Sequence, residues 1–199
     1  MRTRVTRTIV AMLMCGLPAA ALAQAPAAPA QPATAAPNAN IVVDNPTYTT
    51  IPLEIDVSRP AAEVWARIGK YCDIGEWLQI PAGCKMLSGA EGEVGSVRSV
   101  ANEVLVGKTE LSYTYTQPVR EGRPYNLYHG TLEARPVTAT TSKIVYTLFF
   151  DNSMLADDAA RQADLARRKT QFTTAMENMK ILAEGGTLPP APARGRGGR

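Results

Sequence analysis

Residues 58–84 read SRPAAEVWARIGKYCDIGEWLQIPAGC, and the chain on both sides is organised around them. The Ser58 hydroxyl can accept from an unpaired helix amide, and Pro60 suits a first helical turn, where no donor is required. Ala61, Val64, Trp65 and Ile68 recur at i, i+3, i+4 and i+7, so one helix face is apolar, and Gly69 ends it. Ile74, Trp77 and Leu78 predict a second short helix over 73–78, with Pro81 and Gly83 marking the exit. Just before the stretch, Ile51, Leu53, Ile55 and Val57 alternate with Pro52, Glu54 and Asp56, the period of a strand with one buried face. Pro52 cannot donate to a ladder, which places this strand at an edge or a bulge.

Downstream, strand patterns cover 84–87, 96–100, 103–106, 109–116, 125–134 and 143–150, separated by turn residues such as Gly107, Gly122, Pro124 and Pro136. Gly89, Gly92 and Gly95 invite comparison with a phosphate cradle, but that fingerprint opens a helix. Here Ser96 to Val100 alternates like a strand, so the glycines read as a hairpin turn. Leu111, Tyr113 and Tyr115 share one strand face, as do Tyr128, Leu132 and Ala134, and Ile144, Tyr146, Leu148 and Phe150. A long helix over 156–183 follows, with Leu165, Phe172, Met176, Met179 and Ala183 as its apolar stripe and Arg161, Asp164, Arg167, Arg168, Lys169 and Glu177 on its charged faces. Consecutive hairpins followed by one amphipathic helix predict an α+β domain in which a curved antiparallel sheet wraps the helix.

The ends of the chain read differently. Arg2, Arg4 and Arg7 precede an apolar run from 9 to 22, and Ala21, Leu22 and Ala23 form the small-x-small pattern before Gln24, predicting an export signal over 1–23 cleaved between Ala23 and Gln24. That run is too short to span a bilayer, so no stable membrane anchor is expected after cleavage. Residues 24–40 are rich in Ala and Pro and read as a disordered linker, 41–184 as one domain, and 185–199, rich in Pro, Gly and Arg, as a disordered tail. The chain has 21 Lys and Arg against 18 Asp and Glu; without the three leader arginines the balance is 18 to 18, and without Arg194, Arg196 and Arg199 it is 15 to 18. A slightly acidic body offers no footprint for nucleic acid. The expected location is periplasmic or secreted, in a bacterium.

The order strand, two short helices, hairpin strands and long terminal helix resembles the SRPBCC superfamily, also called START-like or helix-grip, and within it the bacterial polyketide cyclase/dehydrase-like proteins. The resemblance covers 51–182. It is carried by SRPAAEVW at 58–65, Trp77 and Pro81, GEVGSVRSV at 92–100, SYTY at 112–115 and YHGTLEARP at 128–136. It implies a helix-grip fold with a cavity between sheet and terminal helix that holds an apolar or aromatic small molecule. Some members are enzymes and others carry or sense a ligand, so architecture is implied more closely than activity.

With that fold in view, Arg98, Glu103, Tyr113, Tyr115, Tyr128 and Tyr146 are the polar candidates to surround a ring-bearing ligand, and Trp77, Phe172 and Met176 the apolar ones. Tyrosine can orient a carbonyl, and Glu103 can accept a proton where burial raises its pKa. The alternative is that the tyrosines are wall residues and Arg98 pairs with Glu103 across a hairpin. His129, the single histidine, falls on the face opposite Tyr128 and is expected to point to solvent. No metal site is expected, since ligand-spaced clusters are missing; no cofactor is implied, and no serine has a GxSxG elbow or a histidine partner. Once Cys15 leaves with the leader, Cys72 and Cys84 remain, and an oxidising compartment predicts a bridge between them, the alternative being two buried thiols. The reading is an exported protein binding a lipid, quinone or polyketide-like molecule; the alternative is a cyclase- or dehydratase-like enzyme using cavity Tyr, Glu and Arg residues.

Overall fold

Seven antiparallel strands form an unclosed, curved sheet in the order β1-β7-β6-β5-β4-β3-β2. The computed structural model describes residue 43 and residues 45–120 and 122–191; the expected leader and linker, and 192–199 of the tail, lie outside the described residues. The elements are β1 (Tyr48–Val57), α1 (Ala61–Ile68), α2 (Ile74–Trp77), β2 (Met86–Ser88), β3 (Val97–Arg98), β4 (Glu103–Lys108), β5 (Ser112–Thr116), β6 (Asn126–Pro136), β7 (Ser142–Asp151) and α3 (Asp158–Ala183). The helix-grip arrangement expected from the sequence is present, with α3 packed against the sheet.

Among the described residues β1 is an edge strand, as Pro52 requires, and pairs only with β7. It begins earlier than the apolar alternation does, because the Thr47 amide donates to Asp151 Oδ1 at 2.8 Å and Tyr48 stacks on Phe149 with ring centroids 5.4 Å apart. At its other end, Lys180 Nζ donates to the Asp56 carbonyl (2.8 Å) and the Ser58 amide donates to Glu184 Oε1 (2.9 Å), so α3 blunts the open edge. The expected Ser58 cap is therefore not made. α1 starts instead with Pro60 in the cap position and its carbonyl accepting from the Val64 amide at 3.0 Å.

β2 and β3 are shorter than their alternation predicts, since their ladder shifts between Met86 and Ser88 and the chain turns at Ala101 and Asn102, both at positive φ (51° and 55°). β5 starts at Ser112 because Thr109 and Ser112 close the preceding turn, amide to carbonyl at 2.9 Å and hydroxyl to hydroxyl at 2.7 Å. Register shifts in β4 between Leu105 and Gly107, and in β6 between Asn126 and His129, give the sheet bulges of the kind that bend strands.

Asp157 caps α3 by accepting from the Ala160 amide (2.8 Å). The far end closes with Gly185 at φ 84°, its amide bonded to the Leu182 carbonyl and that of Gly186 to the Ile181 carbonyl. The buried face of α3 runs through Asp164, Arg168, Phe172, Met176, Met179 and Leu182, whereas Leu165 and Ala183, expected in the stripe, are only half-buried. The helix is thus rotated towards two charged residues. Burial is possible because Arg168 Nε donates to Asp164 Oδ2 at 2.7 Å and its guanidinium lies 4.5 Å from the Phe150 ring centroid and 4.6 Å from that of Tyr125.

Candidate functional site

The nine residues expected around a ligand do converge on the inner side of the sheet, and each is buried. β3 and β4 place Arg98 opposite Glu103, as the hairpin alternative had it. Glu103 Oε2 accepts from Arg98 Nε at 2.7 Å with Nη2 at 2.6 Å, and Oε1 accepts from Gln117 Nε2 at 2.8 Å. Arg98 Nη1 donates to the Tyr71 carbonyl, and its guanidinium lies between the rings of Tyr71 (4.2 Å) and Tyr115 (4.6 Å). Burial works against the Arg98 charge, but the Tyr113 phenol and the Glu103 carboxylate outweigh it and hold the guanidinium protonated. Burial likewise pushes the Glu103 carboxyl up, opposed by Arg98 and Gln117, and donors on both of its oxygens fit a carboxylate.

Tyr115 and Tyr146 share a hydrogen bond of 2.7 Å between their hydroxyls, and Gly130 on β6 makes room for the Tyr115 ring: a Cβ there would come within 2.4 Å of it. Tyr128 stacks on Phe150 at 5.8 Å, Tyr146 packs on Phe172 at 5.0 Å, and Trp77 meets Tyr146 edge-on at 6.1 Å. Met176 is buried on the same side of α3. Burial raises the phenols of Tyr113, Tyr115, Tyr128 and Tyr146 above their ordinary value. They are neutral hydrogen-bonding groups, packed against one another.

The larger open space lies elsewhere than expected. It is not under α3 but between the end of α1 and the β4–β5 turn, a hollow of about 450 Å³ bordered by Trp65, Tyr71, Leu105, Lys108, Ser112 and Tyr113, within the roughly 300–1,000 Å³ of small-molecule pockets. Of the nine candidates only Tyr113 borders it. Trp77 instead borders a second depression of about 340 Å³ between α2 and α3, with Gln79, Gln171, Thr174 and Asn178. Trp65, expected in the apolar stripe of α1, is only partly buried, with its ring 5.6 Å from that of Tyr113. Gly69 permits this position, because a Cβ at 69 would sit 2.4 Å from the indole. A tryptophan four residues before the glycine that ends the helix was the available signal for the hollow; nothing in the alternation of β4 marked Lys108.

Cys72 and Cys84 form a disulfide, S–S 2.05 Å, which joins the segment after α1 to the approach to β2. The next residue inwards, Tyr71, is held by its carbonyl to Arg98 and by its amide to Glu91. His129 Nδ1 lies 2.8 Å from the Leu127 carbonyl on the outer face of the sheet, away from the hollow. Among the described residues no three His, Cys, Asp or Glu side chains are grouped to hold a metal ion, and no helix is long and apolar enough to cross a membrane.

Residues 49–184 match the model of a family described as polyketide cyclase / dehydrase and lipid transport. The chain belongs to this family. Membership agrees with the SRPBCC resemblance and makes a small hydrophobic molecule the coarse class of partner. Comparison with curated proteins gives no significant match. Among solved structures, a Thermobifida fusca protein determined by NMR is 19% identical with a TM-score of 0.53, covering 70% of this chain and 97% of its own. The aromatase/cyclase from Streptomyces sp. R1128 is 16% identical with a TM-score of 0.53, covering 71% and 100%. Norcoclaurine synthase from Thalictrum flavum is 11% identical with a TM-score of 0.52, covering 70% and 88%. At these identities the family's fold is what the chain shares with them.

Proposed function

We propose that the protein is an exported small-molecule binding protein, holding a hydrophobic or aromatic ligand in the hollow between α1 and the β4–β5 turn. The observation that carries this reading is the division of labour inside the fold. The groups best suited to acid–base chemistry, Glu103, Tyr115 and Tyr146, are each bonded within the core, whereas the open space is walled by Trp65, Leu105 and Tyr113. A lipid, quinone or polyketide-like molecule fits such walls. Export rests on the leader pattern over 1–23, and the Cys72–Cys84 bridge is in keeping with an oxidising compartment. Native mass spectrometry of the protein isolated from its own periplasm is expected to find the chain starting at Gln24 with an apolar small molecule bound, and that molecule is expected to survive incubation unchanged. Turnover abolished by Glu103→Gln would instead establish the enzyme reading, and a chain that carries no small molecule and takes up none would remove both.

A further inference from the structure

We propose that the ligand of this hollow is an organic anion, a ring-bearing or otherwise apolar body with a carboxylate or similar acidic group, and that Lys108 takes the acidic group. The inference rests on the reading of the hollow as a binding site and adds the charge of what binds.

Lys108 ends β4, and its Nζ reaches across to the β2–β3 turn, donating to the Gly92 carbonyl at 2.6 Å; both residues border the hollow. An ammonium carries three donors, and this bond uses one. Among the described residues no carboxylate lies within ion-pair distance of Lys108, in contrast to Lys143 and Lys180, which are paired with Glu54 and Glu184. Glu110 also borders the hollow, but it borders a further depression, of about 430 Å³, with Glu133 and Pro136 as well, so it stands between the two, whereas Lys108 borders the hollow and not that depression. The phenols of Tyr71 and Tyr113 also border the space, and a phenol can donate as well as accept. The Tyr71 hydroxyl is buried without a partner, and the Tyr113 hydroxyl has only a 3.5 Å contact to Arg98 Nη1. Ser112 and Thr109 satisfy each other. An apolar body against Trp65, Leu105 and Tyr113 with an acidic group at Lys108 uses these features together. A cationic ligand would meet an unpaired ammonium.

Two dyes with the same rings separate the charge from the cavity: 1-anilinonaphthalene-8-sulfonate and its neutral counterpart N-phenyl-1-naphthylamine, titrated by fluorescence into the full chain with energy transfer from tryptophan as the signal. Both are expected to bind, with transfer weakened in Trp65→Phe. The sulfonate is expected to bind about 2- to 5-fold more tightly, the advantage of one exposed charge-assisted contact, and to lose that advantage as salt is raised. Lys108→Gln is expected to bring the ratio of the two affinities to one, and Lys108→Arg to keep it. Equal binding of the two dyes to the wild type, or a preference that persists in Lys108→Gln, overturns the anion proposal and leaves the binding site standing. Failure of the sulfonate alone likewise overturns the anion proposal, whereas failure of both dyes to bind, or binding indifferent to both Trp65→Phe and Tyr113→Ala, overturns the site itself and the proposal with it.

Discussion

Arg98 is fully buried, and its environment explains how an interior can hold a guanidinium. It has a carboxylate, a backbone carbonyl and two tyrosine faces around it, so its desolvation is offset only while all of them are in place. Removing one partner strands the other. Arg98→Met is therefore expected to cost about 3–5 kcal/mol in urea unfolding at neutral pH, because Glu103 remains buried beside a single neutral donor, Gln117. Replacing both, Arg98→Met with Glu103→Leu, is expected to recover most of that loss. A single variant that loses less than about 1 kcal/mol would show that the pair is solvated and the interior open to water. The residue types were visible in advance, and so was the possibility of their pairing across a hairpin. What the alternation lacked was Tyr71, outside any strand, whose carbonyl and ring complete the enclosure.

At the scale of elements, the inward faces of β5, β6 and β7 were legible because strict alternation makes Tyr113, Tyr115, Tyr128 and Tyr146 face one way. The limits of β2, β3 and β5 were not, since they depend on turns and ladder shifts involving other strands. The register of α3 was also missed: hydropathy ranks Leu165 above Asp164 and Arg168, but the rings of Tyr125, Tyr128 and Phe150 make a place for a cation that only the folded sheet assembles. The same packing sets a pH dependence. The phenols of Tyr113, Tyr115, Tyr128 and Tyr146 are raised by burial, so in alkali the unfolded chain releases protons that the folded chain keeps. Their contribution is intact below the ordinary phenol pKa of about 10 and is lost as pH rises through the folded values. Absorbance at 295 nm is expected to show these four ionising together with loss of ellipticity, well above pH 10. Ionisation of all seven tyrosines near pH 10 with the fold intact would mean that the layer is open to solvent.

For the whole molecule, the sheet and α3 are held by long ladders and a shared core, whereas the stretch from α1 to β2 crosses the concave side with two short helices and few ladder bonds. Its attachments are particular ones: Asn178 Nδ2 donating to the Trp77 carbonyl at 2.9 Å, Arg98 and Glu91 at Tyr71, and the disulfide across a sequence separation of 12. The bridge closes a short loop, worth about 3 kcal/mol if it acts through the entropy of the unfolded chain. For a domain of this size that corresponds to a melting temperature lower by roughly 6–12 °C in Cys72→Ser with Cys84→Ser. The location of the loss distinguishes a local staple from a global one. Because the ladders of β6 and β7 and the core under α3 do not depend on the bridge, amide exchange in the variant is expected to rise over 69–84 and to stay slow in β6 and β7 under native conditions. Since Trp65, Gly69 and Tyr71 border the hollow, affinity for the neutral dye is expected to fall in the same variant. Faster exchange spread evenly through the sheet would instead assign the bridge to global stability alone. Unchanged dye binding alongside the local loosening would separate the hollow from the segment that forms its roof.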